Sequence, residues 1–151
     1  MKFTLSWLHE HLDTKEDIKN IESTLTKIGL EVESIHDRSD ELKDFTVAKV
    51  ITANKHPDAD RLKVCEVETN KGNFQVVCGA PNAKAGMLGV FAPENSYIPG
   101  TKMRLKKSKI RGVESCGMLV SEKEMGISDE HEGIIEIQKK HKVGDQFSEI
   151  F

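Results

Sequence analysis

The feature that most limits what this chain can fold into is a change of hydrophobic period near residue 45. Upstream, Ile18, Ile21, Leu25 and Ile28 recur at spacings of three, four and three, which lines one stripe of an α-helix. Downstream, Val64, Glu66 and Glu68 alternate with Cys65, Val67 and Thr69, the period of two that a strand imposes on its side chains. A pattern written for one period cannot bury its apolar residues in the other. The chain therefore begins helical and continues as β structure.

The punctuation refines this division. Ser6 is placed to cap a short helix over residues 7–12, and Thr14 with Asp17 resembles a capping box. Gly29 stands where a helix ends in a left-handed residue. A short strand is expected over residues 32–35, then a charged linker over 37–44. Residues 45–51 suggest a strand buried on both faces. Strands over 64–69 and 74–78 are joined by the turn Asn70-Lys71-Gly72-Asn73. A fourth strand over 87–92, a long basic fifth over 102–110, one helical turn over 121–125 and a final strand over 134–137 complete the reading. Short strands with Gly and Pro between them and little helix point to a small closed or nearly closed barrel.

Charge narrows the function classes. Residues 1–44 carry a net −5 and the remainder +2, within a total of −3. Lys102, Arg104, Lys106, Lys107, Lys109 and Arg111 crowd into ten positions, a local cationic patch on a nearly neutral body. Cysteines 65, 78 and 116 form no C-x-x-C pair, so disulfide and zinc frameworks are poor readings and buried thiols the better one. His56, Asp58 and Asp60 match neither a zincin helix nor an EF-hand. They read as a turn in which an aspartate bonds local backbone amides. No phosphate-binding loop, dinucleotide fingerprint or nucleophile elbow occurs. No apolar run reaches the roughly 18 residues of a membrane span, and the N-terminus lacks a signal-peptide core. A cytoplasmic location without membrane contact is expected.

Four stretches carry more information than composition. They are His56-Pro57-Asp58-Ala59-Asp60-Arg61-Leu62, Val77-Cys78-Gly79-Ala80-Pro81-Asn82, Lys107 to Met118 with its Ser-Lys-Ile-Arg-Gly-Val-Glu-Ser core, and Gly126-Ile127-Ser128-Asp129. In order and spacing they resemble the tRNA-binding OB-fold of several synthetase-associated proteins. The opening, Lys2-Phe3-Thr4-Leu5-Ser6-Trp7-Leu8 and then Gly29-Leu30-Glu31-Val32-Glu33, is similar to that of bacterial phenylalanyl-tRNA synthetase β subunits. The resemblance implies a mainly β fold. Residues 41–151 would form a five-stranded OB barrel with extra C-terminal strands. Residues 1–40 would be the first half of a split α/β domain, leaving part of the stripe Leu8, Leu12, Ile18, Ile21, Leu25 and Ile28 uncovered.

The same resemblance implies a non-catalytic, auxiliary tRNA-binding segment of a ligase that attaches phenylalanine to its tRNA. The complete ligase uses ATP and magnesium, and no cofactor or metal is expected in this segment. The implied partners are tRNA, the ligase α subunit and the remainder of the β subunit, in a heterotetramer of two α and two β. Lys102, Arg104, Lys106, Lys107, Lys109, Arg111, Ser115 and Asn82 are the candidate RNA-binding residues. A free-standing OB-fold RNA-binding or chaperone-like protein is the alternative.

Overall fold

The computed structural model describes residues 1–150. The chain divides into two compact units, Met1–Asp37 and Arg38–Phe151.

The first unit holds helices α1 (Leu5–His11) and α2 (Ile18–Lys27). Thr4, rather than Ser6, caps α1: its side chain accepts from the Trp7 backbone N–H at 3.1 Å. Ser6 lies inside the first turn, with its hydroxyl on that of Thr4. Asp17 caps α2 by accepting from Asn20 N at 2.8 Å. The Thr14 hydroxyl instead accepts from Glu16 N, so no capping box reaches from Thr14 into the helix. Gly29, at φ +94°, ends α2. The Leu30 N–H bonds to Leu25 O and the Gly29 N–H to Thr26 O, the paired bonds that close a helix through a left-handed residue. The strand expected over residues 32–35 does not form. An extended segment needs a neighbouring ladder to satisfy its backbone, and this unit holds no other strand. Neither helix has a buried residue. Leu12 is 50% exposed, Ile18 38% and Ile28 67%, while Leu8, Ile21 and Leu25 are half-buried.

The second unit opens with α3 (Ser39–Leu42), where a linker was expected. Arg38 fastens this turn. Its guanidinium donates to Met125 O at 2.6 Å and Gly126 O at 3.1 Å, and pairs with Glu41 at 2.8 Å. Leu42 is buried as a result. Ten strands follow. They are β1 (Thr46–His56), β2 (Ala59–Thr69), β3 (Gly72–Cys78), β4 (Leu88–Ala92), β5 (Tyr97–Ile98), β6 (Met103–Arg104), β7 (Ser108–Ile110), β8 (Val113–Ser115), β9 (Met118–Leu119) and β10 (Glu136–Ile137). Helix α4 (Phe147–Ile150) comes after them. The main sheet is antiparallel, ordered β10-β4-β1-β2-β3, with β9 also on β4. This is the mainly β architecture the alternating period predicts.

The pairing of β1 with β4 explains why both strands are apolar on both faces. Ala48, Val50 and Phe91 point into one core cluster with Cys65 and Val76. Phe45, Val47, Val90 and Ala92 point into a second with Leu42 and Met125. Alternate residues of one strand thus enter two cores, and the run reads as continuously apolar. A bulge at Ile51, where the register shifts between Val50 and Thr52, then turns Ile51 outward.

Among the described residues no ladder joins β3 to the opposite edge. Three hydrogen bonds instead tie β3 to the segment at and just after β8. Cys116 N donates to Gln75 O at 2.8 Å, Gln75 Nε2 to Glu114 O at 2.8 Å, and Val77 N to the Ser115 hydroxyl at 3.1 Å. Gly117 then lets the chain pass close against β4. A β-carbon there would lie 2.4 Å from the Phe91 ring and 2.9 Å from Ala92 O.

The long basic strand expected over 102–110 is two pieces of two hairpins. Leu105 and Ile110 are an odd number of residues apart, so a straight strand would turn them to opposite faces. The chain breaks between β6 and β7 instead. Leu105 packs against the second cluster, held by Leu105 N to Ser96 O and Asn95 N to Leu105 O. The expected turn over 121–125 closes through Met125 N to Ser121 O. Only Glu136 and Ile137 of the expected final strand pair in a ladder, because Ile135 N turns to Val120 O.

Candidate nucleic-acid interface

Four of the six clustered cations sit in two hairpins with different anchorages, and Lys106 and Lys107 lie in the connector between β6 and β7. In the β5–β6 hairpin Tyr97 lies opposite Arg104 and Ile98 opposite Met103. Lys102 occupies its last turn position at φ +54°. The Gly100 N–H of the same turn donates to Glu124 O, and a β-carbon on Gly100 would strike Lys123 O at 1.8 Å. Only glycine permits that docking. Arg104 is committed locally, donating to Asn95 O at 2.7 Å.

The β7–β8 hairpin pairs Ser108 with Ser115, Lys109 with Glu114 and Ile110 with Val113. Its two turn residues, Arg111 and Gly112, both have positive φ, +50° and +84°, as a type I′ turn demands. Lys107 forms an ion pair with Glu114. Among the described residues, Lys102, Lys106, Lys109 and Arg111 have neither an ion-pair nor a hydrogen-bond partner, and all four side chains are exposed. A cation whose charge is not neutralised within its own chain is the kind of group that phosphates recruit.

The other two candidates have structural positions. Ser115 is 3% exposed. Its hydroxyl accepts from Val77 N and donates to Gly117 O, both at 3.1 Å, so its proton and one lone pair are engaged inside the fold. The Asn82 amide clamps one backbone position: Nδ2 donates to Ile134 O at 2.8 Å and Oδ1 accepts from Ile134 N at 3.0 Å.

Two residues outside the candidate set bear on the surface. His56 is 2% exposed. Its Nδ1 accepts from the Asp58 N–H at 3.0 Å, so Nε2 carries the proton and donates to Ile110 O at 3.0 Å. The imidazole, rather than either aspartate, builds the β1–β2 turn and ties it to the β7–β8 hairpin. Asp60 instead meets Lys55 in an exposed pair at 3.1 Å. Local spacing signalled the turn, but a partner 54 residues away carried no signal. Tyr97 is 40% exposed, the one exposed aromatic among the described residues of the second unit. Facing Arg104 across the ladder, it offers a stacking surface beside a cation. Phe45 and Phe91 are buried, and Phe74 stacks on Phe91 with centroids 5.6 Å apart.

A shallow groove of about 340 Å³ lies on β1, β2 and β3, lined by Thr52, Asn54, Glu66, Asn73, Phe74 and Gln75. Its amides suit hydrogen bonding to neutral groups, and Glu66, bonded to Asn73, disfavours phosphate there. No group of three or more His, Cys, Asp or Glu side chains is placed to hold a metal ion among the described residues. All three cysteines are unpaired. Burial pushes the Cys65 thiol up to about 11, helped by Cys78, and raises Cys78 as well. Neither is primed as a nucleophile. No helix of the described residues is long and apolar enough to cross a membrane.

A family model described as a putative tRNA-binding domain matches residues 45–146. The phenylalanine–tRNA ligase β subunit of Mesorhizobium japonicum is 54% identical over 150 residues, which is 98% of this chain and 19% of that protein. The subunit of the same name from Zymomonas mobilis is 50% identical over 99% of this chain, again 19% of its length. The chain therefore spans about a fifth of the length of these relatives. Among solved structures, a MetRS-related protein from Pyrococcus horikoshii superposes with a TM-score of 0.53 at 22% identity, covering 75% of this chain and 97% of that one. An RNA ligase of Naegleria gruberi does so with a TM-score of 0.50 at 19% identity, over 72% of this chain and 33% of its own. At such identities the likeness concerns the fold alone.

Proposed function

We propose, from the premise that this chain belongs to the putative tRNA-binding domain family, that it is the auxiliary tRNA-binding segment of a phenylalanine–tRNA ligase β subunit. The observation that carries this reading is its alignment, at about half identity and nearly full length, with ligase β subunits. The unpartnered cations of the two hairpins supply the physical means. They attract phosphates, and a mainly neutral body keeps the attraction local and salt-sensitive. Tyr97 adds one stacking surface. The segment contributes RNA affinity or orientation and no chemistry. ATP and magnesium serve the complete ligase, in the cytoplasm, through residues outside this chain. The uncovered apolar side of α1 and α2 packs against the remainder of the β subunit, within an assembly of two α and two β subunits.

Reversing Lys102, Lys106, Lys109 and Arg111 to Glu tests the reading. Wild-type binding to a deacylated tRNA should weaken with salt at a log–log slope of about −3, the value for four phosphates at roughly −0.7 each. The quadruple variant should lose most of that slope. Equal retention of tRNA by both proteins at low salt would remove these hairpins as the binding surface.

A further inference from the structure

We propose that Arg111 is the point at which the β7–β8 hairpin meets an RNA phosphate, and that its left-handed backbone is retained for this contact at the expense of stability. The inference rests on the tRNA-binding reading and assigns it to one residue.

A type I′ turn needs positive φ at both central positions, where Gly, Asn and Asp are the residues of low strain. This chain generally follows that rule. Among the described residues, left-handed backbone falls on seven glycines and on Asn95, with Lys102 and Arg111 as the exceptions. An arginine at φ +50° carries a β-carbon into a region that disfavours one. Among the described residues no side-chain contact of Arg111 offsets this. The Arg111 side chain is exposed and has no hydrogen bond or ion pair among the described residues. Strain without an internal return points outward.

Arg111 is favoured over Lys102 because its backbone is anchored. The His56 Nε2–H holds Ile110 O at 3.0 Å, the carbonyl joined to Arg111 by the next peptide bond. With Nδ1 occupied by the Asp58 N–H, the ring has a single orientation that satisfies both bonds. The hairpin tip is thereby fixed against the β1–β2 turn before any ligand arrives, which lowers the ordering cost of a contact. Gly112 beside it adds no side chain to obstruct approach, and Lys109 adds a second free cation two residues away. A guanidinium also presents a planar fork that matches two phosphate oxygens, which an ammonium does not.

The test uses the 151-residue chain and two substitutions, Arg111→Asn and Arg111→Lys, with melting temperature and affinity for a deacylated tRNA measured across a salt series. Arg111→Asn places a turn-favoured residue in the left-handed position and removes the charge. It should melt about 2–4 °C higher, bind tRNA several-fold more weakly and show a salt slope shallower by about 0.7. Arg111→Lys keeps both strain and charge, and should match the wild type in melting temperature and slope. Wild-type affinity and slope in Arg111→Asn would overturn the contact. A lower melting temperature in that variant would overturn the strain argument, because it would reveal stabilising interactions made by Arg111 within the fold. A wild-type chain that retains no tRNA at any salt would bring down the tRNA-binding reading together with this one.

Discussion

Replacing Ser115 with Ala separates the role that motif position suggests for this residue from the role its surroundings impose. The hydroxyl sits 3.1 Å from both Val77 N and Gly117 O, at 3% exposure. Alanine leaves one donor and one acceptor buried without a partner. Each such group costs about 1–3 kcal/mol, and slight relaxation of the β8–β9 turn recovers some of it, so a net loss of roughly 2–4 kcal/mol is expected. One of the three hydrogen bonds bridging β3 to Glu114–Cys116 goes at the same time. For a chain of this size 1 kcal/mol shifts the melting temperature by about 2–4 °C, which places the expected fall at roughly 5–15 °C. Thermal melts followed by circular dichroism give the stability. A tRNA salt titration, run well below the transition, gives the binding slope. The reasoning requires lower stability with an unchanged slope. A variant with wild-type melting and weakened tRNA binding would refute it and return Ser115 to the RNA surface.

Two further outcomes follow from burial. Cys65 has its thiol raised from 9.0 to about 11, first by burial and then by Cys78. The folded chain therefore keeps a proton that the unfolded chain releases; the associated stability is complete below pH 9 and is lost as pH rises towards 11. Melting temperature should accordingly fall more steeply over that range in the wild type than in Cys65→Ala, and equal slopes would show that the thiol does not contribute. In the first unit, no side chain of α1 or α2 is buried, so amide hydrogen exchange should be faster there than in β1, β2 and β3. Equal protection in the isolated chain would mean that the helices draw support from contacts their exposure does not reveal.

Much of the architecture was legible locally because its causes are local. The Ile18–Ile28 stripe, Gly29 at the helix end, the hairpin over Asn70–Asn73 and the strand over residues 45–51, two-sided in its burial except at Lys49 and Ile51, each follow from a period or a turn residue within a few positions. Helix caps were less secure. Thr4 and Ser6 are both capping residue types, and only the backbone, extended at Thr4 and helical from Leu5, selects Thr4. The basic cluster was visible as charge, but its division was not. Whether Lys107 is neutralised depends on Glu114, which reaches it only once β7 and β8 have paired.

What the sequence determined by itself is the change from a helical start to strands, the mainly β class, the location of the cations and, through its motifs, the family. Those properties depend on side-chain period, turn chemistry and residue identity, all carried by neighbours along the chain. Tertiary structure alone decided that Ser115 and Asn82 hydrogen-bond to backbone within the fold, that His56 joins two motifs 54 positions apart, and which cations remain free. The physical reason is that a hydroxyl, an amide or an imidazole can satisfy its hydrogen bonds with any partner of suitable geometry. Which partner it meets is set by how the strands register and pack, and those contacts lie far apart in the chain.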